Sequence, residues 1–171
     1  MYPLSADDAF FQSLRDLDYQ LFISLKSQPC RRCGGVLDTA NYPRKPRGLG
    51  ENEELRFSLC CRSEECRKRL TPPSLRFFGR KVYSAWVVIL ALDFYDSLGL
   101  SRVIAWQTLA RWREFWRERL AESHPFMRNA RGQLPPGTPG AELPGALLAC
   151  FGFPERGTWI PVLKFFRDAA L

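Results

Sequence analysis

Histidine and long apolar runs are scarce in this sequence, and each shortage removes a class of function. The single histidine, His124, stands in a Ser-His-Pro context, which favours a surface position over a catalytic one. The sequence contains no phosphate-binding P-loop, no Gly-x-Ser-x-Gly nucleophile motif and no His-Glu zinc-protease motif. The longest apolar run, Ala85 to Leu92, is far shorter than the roughly 20 residues needed to cross a bilayer. We therefore expect a protein without enzymatic activity, membrane segment or small-molecule substrate.

A secretory signal is also missing, because the first 20 residues lack a basic start followed by an apolar run. We therefore expect a cytoplasmic protein whose cysteines remain reduced. Apolar material is ample, since 46% of the 171 residues are hydrophobic and 13% are aromatic, which suffices for a packed core. This length suits one domain, or a helical body that carries a small metal-stabilised lobe.

Five of the six cysteines lie between Cys30 and Cys66. The first pair is separated by two residues and is followed by Gly34 and Gly35; after a short excursion the chain reaches a second set. Two close sets of thiolates are typical of a zinc ribbon, in which four cysteines hold one tetrahedral ion. We predict a structural Zn²⁺ site whose ligands are Cys30, Cys33, Cys61 and Cys66.

One of these ligands has an alternative. Cys60 and Cys61 point to opposite faces of the predicted strand that begins at Leu55, so a site with four ligands takes one of them. Cys61 is favoured because it shares a face with Leu59 and Phe57, and Cys60 remains open. Disulfide pairing is the competing interpretation of the whole cluster. Cys150 is predicted to be a small core residue.

The net charge of +7 is concentrated in one part of the chain. Residues 29–81 contain 13 Lys and Arg against six Asp and Glu, and the charges elsewhere cancel. Concentrated positive charge indicates a polyanionic partner, and we expect nucleic acid. A stiff proline-containing loop between Asp38 and Glu54 presents part of this charge; a merely solvated loop is the alternative. The predicted phosphate contacts in this region are Arg31, Arg32, Arg44, Lys45, Arg47, Arg62, Arg67, Lys68 and Arg69.

Three amphipathic patterns predict helices. The first runs from about Ser5 to Ser27, the second from Gly79 to Leu98, and the third from Arg102 to Glu122, with Ser101 as its cap. The third places an apolar stripe opposite a basic one, which suits a helix that packs on one side and meets DNA on the other. A solvated face with internal ion pairs is the alternative. The predicted contacts on this helix are Arg102, Arg111, Arg113 and Arg117.

The expected fold is mostly α, with a small β zinc ribbon inserted after the first helix. We divide the chain into an N-terminal helix that packs on the body (1–28), a zinc ribbon with a basic finger (29–81), a helical body resembling a helix-turn-helix (82–122), and a Pro/Gly-rich linker with C-terminal helices (123–171). The linker covers about Ser123 to Gly145, and the last helices lie near 143–151 and from Thr158 onward.

Several motifs together resemble a known family. They are Cys30-x2-Cys33-Gly34, the run Arg67-Lys68-Arg69-Leu70-Thr71 after the second cysteine set, and Gly99-Leu100-Ser101 ahead of Thr108-Leu109-Ala110-Arg111-Trp112. The combination, over residues 30–120, resembles the zinc-ribbon and helix-turn-helix DNA-binding proteins associated with bacterial insertion-sequence transposition. Six residues separate Ser101 from Thr108, about one helical turn more than that family's pattern, so one continuous helix is the alternative.

The resemblance implies an accessory or regulatory protein of a mobile element that binds double-stranded DNA, in association with the bacterial nucleoid. It also implies a transposase or another protein as partner, because the chain has no room for the RNase-H-like catalytic domain of such enzymes. A second interpretation makes the chain a zinc-stabilised adaptor that joins proteins in a larger complex, including one that processes nucleic acid. RNA in place of DNA is a variant of the first interpretation.

Overall fold

The computed structural model describes residues 8–44, 54–78, 83–121, 123–130, 148 and 159–169. The chain divides into two compact units, Met1–Val82 and Tyr83–Leu171. The described part is mostly helical with small antiparallel sheets, which confirms the coarse fold prediction. No helix within the described ranges combines the length and the apolar character that crossing a bilayer requires.

The first unit opens with helix α1, Asp8–Lys26. Leu14, Asp18 and Phe22 are its buried residues and recur every four positions, so one stripe of the helix faces the core. Ser27 still donates to the Ile23 carbonyl at 3.1 Å, and Pro29 follows just beyond the helix. The predicted N-terminal helix is therefore present over its described length.

Five short strands follow α1. They are β1 Leu37–Thr39, β2 Tyr42–Arg44, β3 Glu54–Arg56, β4 Leu59–Cys61 and β5 Arg69–Leu70. One sheet has the order β1-β4-β5, with both pairs antiparallel, and Leu37 lies opposite Cys61. A separate antiparallel hairpin joins β2 to β3, with Pro43 opposite Leu55. The first sheet carries the second cysteine set toward the first.

The single strand predicted from Leu55 to Leu59 is wrong in one respect, because it is divided between β3 and β4. Ser58 lies at the break. Its N–H donates to the Asn41 side chain at 3.0 Å, its hydroxyl donates to the Ala40 carbonyl, and its own carbonyl accepts the Ala40 N–H at 2.8 Å. These bonds satisfy the backbone outside a regular ladder, so the chain can change sheets there.

The segment that ends the first unit is tied to α1 by a buried ion pair. The Asp18 carboxylate accepts from Ser74 Oγ at 2.5 Å, from the Leu75 N–H at 2.6 Å and from Arg76 Nε at 2.9 Å. Asp18 and Arg76 are 2% and 6% exposed, so the pair is desolvated. The Arg76 guanidinium also lies 5.2 Å from the Phe57 ring centroid and donates to the Leu55 carbonyl at 2.8 Å. One arginine thus joins the helix, the hairpin and the segment 74–78.

The second unit contains α2 Ala85–Phe94, α3 Trp106–Arg119, α4 Pro125–Ala130 and α5 Trp159–Ala169. All of α2 from Ala85 to Leu92 is buried. Helix α3 buries Leu109, Trp112 and Trp116, and the Trp116 ring meets Phe166 of α5 edge-on at 4.8 Å. Rings from α3 and α5 therefore meet in the core of this unit.

Helix bounds in this unit differ from the prediction. Helix α2 ends at Phe94 rather than Leu98, and Gly99 adopts a left-handed φ of +62°. Arg102 lies in a 3₁₀ turn, Leu100–Arg102, and Ala105 occupies the cap position assigned to Ser101. The Tyr95 hydroxyl donates to the Ile104 carbonyl at 2.6 Å and holds this connection against α2. The alternative of one continuous helix is wrong.

The C-terminal part agrees with the prediction only in places. Helix α4 lies inside the range predicted as a linker, and α5 begins one residue after the predicted Thr158. Leu163, Phe166 and Ala169 are buried, as the periodicity indicates. The rest of the linker and the helix predicted near 143–151, including Cys150, lie outside the described residues except for Leu148, which is helical and buried.

Candidate metal centre

The four cysteines predicted as ligands lie together in the first unit. The sulfur atoms of Cys30, Cys33, Cys61 and Cys66 are all within 4.8 Å of one another. The Cys30 and Cys66 sulfurs are 3.9 Å apart, and those of Cys33 and Cys61 are 3.4 Å apart. A tetrahedral ion with metal–sulfur bonds of about 2.3 Å requires sulfur separations of about 3.8 Å. The four thiols are free, so the disulfide interpretation fails for this cluster.

The first pair is presented by a tight turn. The N–H groups of Cys33 and Gly34 donate to the Cys30 carbonyl at 3.3 and 2.7 Å, and Gly34 has a left-handed φ of +74°. A methyl group built on Gly35 would lie 3.2 Å from the Cys61 sulfur and 3.3 Å from the Cys33 sulfur. The double glycine is therefore needed for two reasons, backbone conformation at Gly34 and space at Gly35.

The second set uses the same turn with one ligand displaced. The N–H groups of Cys66 and Arg67 donate to the Ser63 carbonyl at 3.1 and 2.9 Å, and Arg67 has a φ of +40°. Ser63 thus occupies the turn position that Cys30 holds in the first set. The partner thiol comes from Cys61, two residues earlier, which explains the longer spacing to Cys66.

Cys60 points away from the four sulfurs. Its thiol lies 3.7 Å from the Cys61 carbonyl oxygen and 3.6 Å from the Arg67 carbonyl oxygen. On β4 the Cys61 side chain is buried, whereas that of Cys60 is half-buried. The structure therefore brings Cys61 into the cluster and leaves Cys60 outside it.

Backbone N–H groups polarise three of the sulfurs. The N–H groups of Arg32 and Cys33 hold the pKa of Cys30 at about 7, below its ordinary value of 9.0. The N–H of Ser63 acts on Cys61 and that of Lys68 on Cys66, each two residues beyond the cysteine. The repeated spacing aims peptide dipoles at the sulfur, which favours thiolate, the form that binds metal.

Burial acts in the opposite direction. It raises the pKa of Cys61 to about 12, more than the Ser63 N–H offsets. At Cys66 the Lys68 N–H lowers the pKa, but burial and the neighbouring thiols of Cys33 and Cys30 outweigh it. Several thiolates are therefore unfavourable here without a cation among them, and a bound divalent ion would reverse that preference.

A small apolar core lies behind the cysteines. Cys30 and Cys61 belong to one buried cluster with Phe22 of α1 and three residues of the strand region, Leu37, Phe57 and Leu59. Three half-buried residues pack against this cluster: Leu25, Cys66 and Leu70. Cys30 and Cys61 are 5% and 0% exposed, whereas Cys33 is exposed. The cluster therefore sits at the edge of a core, with one side toward solvent.

The predicted phosphate contacts near the cysteines are on the surface. The exposed basic residues in the described part of this unit include Arg31, Arg32, Arg62, Arg67, Lys68 and Arg69. Arg62 also donates to Asp38 through Nε at 3.0 Å and Nη2 at 2.7 Å, which lowers the pKa of that carboxyl group. Lys45 and Arg47 lie outside the described residues, and for Arg44 the description covers only the backbone of β2.

The four predicted contacts of the second unit divide into two groups. Arg102 and Arg111 are exposed. Arg117 pairs with Glu114, one turn away on the exposed side of α3, as the ion-pair alternative foresaw. Arg113 is half-buried, with its guanidinium 5.5 Å from the Trp106 ring centroid and 3.5 Å from the Leu92 carbonyl. Two of the four arginines therefore make contacts within the protein.

Several residues that shape the site were missed in the sequence analysis. The sequence contains a signal for the role of Ser63 as the acceptor in the second turn. Ser63 precedes Cys66 by three positions, the same spacing that separates Cys30 from Cys33. The exposure of Trp106 could also be predicted, because Trp106 lies outside the apolar stripe of α3. The Asp18–Arg76 pair, separated by 58 positions, had no local signal.

No family model, curated protein or solved structure matches this chain.

Proposed function

We propose that this chain is a zinc-ribbon protein that binds nucleic acid, with double-stranded DNA as the principal partner, and that it has no catalytic role. The observation that carries the proposal is the set of four free thiols, with sulfur atoms all within 4.8 Å of one another, among exposed basic side chains. The metal would hold the two turns in fixed positions, and the turns would hold the charges.

Zinc is the metal that this donor set suits best. Four thiolates in a tetrahedral arrangement favour Zn²⁺ or an iron–sulfur centre over the oxygen-seeking cations. Cys30, Cys33, Cys61 and Cys66 would be the ligands, and a closed set of four protein ligands leaves no position for substrate. The proposed role of the ion is therefore structural.

Phosphate is the ligand that the surrounding surface suits best. Arg31 and Arg32 lie within the first turn, and Arg67 and Lys68 follow the last cysteine directly. Four thiolates around one divalent cation leave a net negative charge, which these groups partly offset. The exposed cations still exceed the acids nearby, Glu64 and Glu65. Such a surface binds a phosphate backbone with little dependence on base sequence.

The biological setting rests on the resemblance to DNA-binding proteins of insertion sequences. We propose an accessory or regulatory role in transposition, next to a transposase that supplies the catalytic carboxylates. The adaptor interpretation has no specific observation in its favour, and it is tested by the same experiment.

The decisive experiment combines metal analysis with a salt titration. Purified protein should contain one zinc per chain, and its affinity for duplex DNA should fall linearly with salt on a double-logarithmic plot. Changing both Arg31 and Arg32 to Ala should make the slope shallower by about 2, as expected for two lost phosphate contacts. The matched control changes Arg15 to Ala, an exposed cation of α1 that is not among the predicted phosphate contacts, and it should leave the slope unchanged. Binding that is absent or independent of salt, together with a stoichiometric protein partner, would favour the adaptor instead.

A further inference from the structure

Trp106, the first residue of α3, is the most exposed large aromatic side chain in the described part of the chain. It is 56% exposed, compared with 47% for Tyr19 on α1. The buried face of α3 is formed by Leu109, Trp112 and Trp116, and Trp106 lies outside it. An indole ring left mostly in water gives up the free energy that its burial would supply. Tryptophan is enriched at binding interfaces, which makes this ring a candidate contact.

The ring is held in place by its neighbours. Tyr95 meets it at an interplanar angle of 61° with the centroids 6.0 Å apart, and the Arg113 guanidinium lies 5.5 Å from its centroid. The turn before it is fixed by two tyrosine hydroxyls, from Tyr95 to the Ile104 carbonyl at 2.6 Å and from Tyr83 to the Val103 carbonyl at 3.3 Å. A partner that uses this ring therefore loses little free energy in ordering it.

Positive charge lies beside the ring, where the Arg113 guanidinium contacts it. Arg117 lies one turn further along the same side of α3 and pairs there with Glu114. Arg102, which is exposed, precedes the helix. A flat aromatic surface next to cations matches a partner that carries flat rings and phosphates. Single strands of nucleic acid are recognised by this combination.

We propose that Trp106 is a stacking platform for an unpaired base of a single-stranded nucleic acid, with Arg102 positioned for the adjoining phosphate. The proposal rests on the proposed function and adds to it a second kind of contact. A base within an intact duplex is covered on both faces by its neighbours, so the ring requires a base that has left the stack. The basic surface of the first unit contacts phosphates, so it can bind a duplex whose bases stay stacked.

The test compares three fluorescently labelled probes by anisotropy: an oligothymidylate of about 16 nucleotides, an abasic backbone of the same length and a duplex. The full chain carrying Trp106→Ala should bind oligothymidylate about tenfold more weakly, equivalent to about 1.4 kcal/mol. Its affinity for the abasic strand and for the duplex should not change, because neither offers a free base. Trp106→Phe should recover most of the loss, since a phenyl ring also stacks.

The matched control is Val103→Ala, which removes an exposed apolar side chain near the ring without removing an aromatic surface. It should bind all three probes as the parent protein does. Circular dichroism and the thermal midpoint establish that each variant is folded. Equal losses on the abasic and base-containing strands, or unchanged binding of Trp106→Ala to oligothymidylate, would overturn the inference while leaving duplex binding intact. A parent protein that binds none of the probes would overturn both proposals.

Discussion

At the scale of single residues, the pleat of one short strand decides which thiol joins the cluster. Cys60 and Cys61 are neighbours on β4, and successive side chains of a strand point to opposite faces. Cys61 faces the other sulfurs, whereas the Cys60 thiol lies against backbone carbonyl groups. The two residues have the same chemistry, so direction alone separates a ligand from a bystander.

This pair supplies its own matched control. Cys61→Ser should weaken metal binding by more than about 100-fold, since even outer groups around a metal are worth about 10 to 100-fold. Cys60→Ser should leave it unchanged, because its thiol makes no contact with the cluster. Competition with a chromogenic chelator measures the affinity, and the absorption of the Co²⁺-substituted protein reports the number of thiolates. Equal losses in the two variants, or the reverse order, would show that the assignment is wrong.

At the scale of elements, the first unit depends on more than its metal. Asp18 of α1 and Arg76 of the segment 74–78 form a buried ion pair, and Glu54 lies 3.4 Å from the same guanidinium. The exposed pair between Arg62 and Asp38 differs, because its groups remain in water and such pairs contribute little. The buried pair is therefore where a single substitution should destabilise this unit most.

Asp18→Asn would remove the nearer carboxylate from the buried Arg76 and leave the longer contact with Glu54 at 3.4 Å. We expect it to lower the free energy of unfolding by about 3 to 5 kcal/mol. Asp16→Asn is the control on the same helix, because Asp16 is exposed and accepts from the neighbouring Gln12 at 2.8 Å. Its effect should stay within about 0.5 kcal/mol. Denaturant titration of the metal-loaded protein measures both. Similar effects of the two substitutions would contradict the importance given to the buried pair.

The elements also indicate how far sequence patterns reach. Periodicity located α1 and the buried face of α3, and cysteine spacing located the cluster, because these signals are local. The break in the predicted strand at Ser58 depends on Asn41 and Ala40, and the early end of the second helix depends on Tyr95 reaching Ile104. Such contacts join positions that are distant in sequence or lie across a turn. They therefore produce no periodic pattern in the sequence.

At the scale of the whole molecule, the two units are stabilised by different means. One buried cluster of the first unit includes two of the four thiols, whereas the core of the second unit contains rings such as Trp112, Trp116 and Phe166. Metal binding in small sites is coupled to folding. The metal should therefore matter to one unit far more than to the other.

Removal of the metal tests this difference. Treatment with a strong chelator under reducing conditions should increase amide hydrogen exchange in the two cysteine turns, around 30–35 and 61–67. The amides of α3 should keep their protection, because all four proposed ligands lie in the first unit. Exchange measured by mass spectrometry resolves the two regions, and zinc added back should restore protection in the turns. Equal loss of protection in the two units, or none in either, would contradict the division of roles.

The turn that presents Cys66 has one further consequence. Glycine is the residue that adopts a left-handed backbone without strain, yet Arg67 holds that conformation with a φ of +40°. An arginine there pays about 1 kcal/mol relative to glycine. The result is a permanent cation one residue from the proposed ligand Cys66, on a backbone position that the closed turn holds fixed. Any anion attracted to it would meet a guanidinium whose anchor is already rigid.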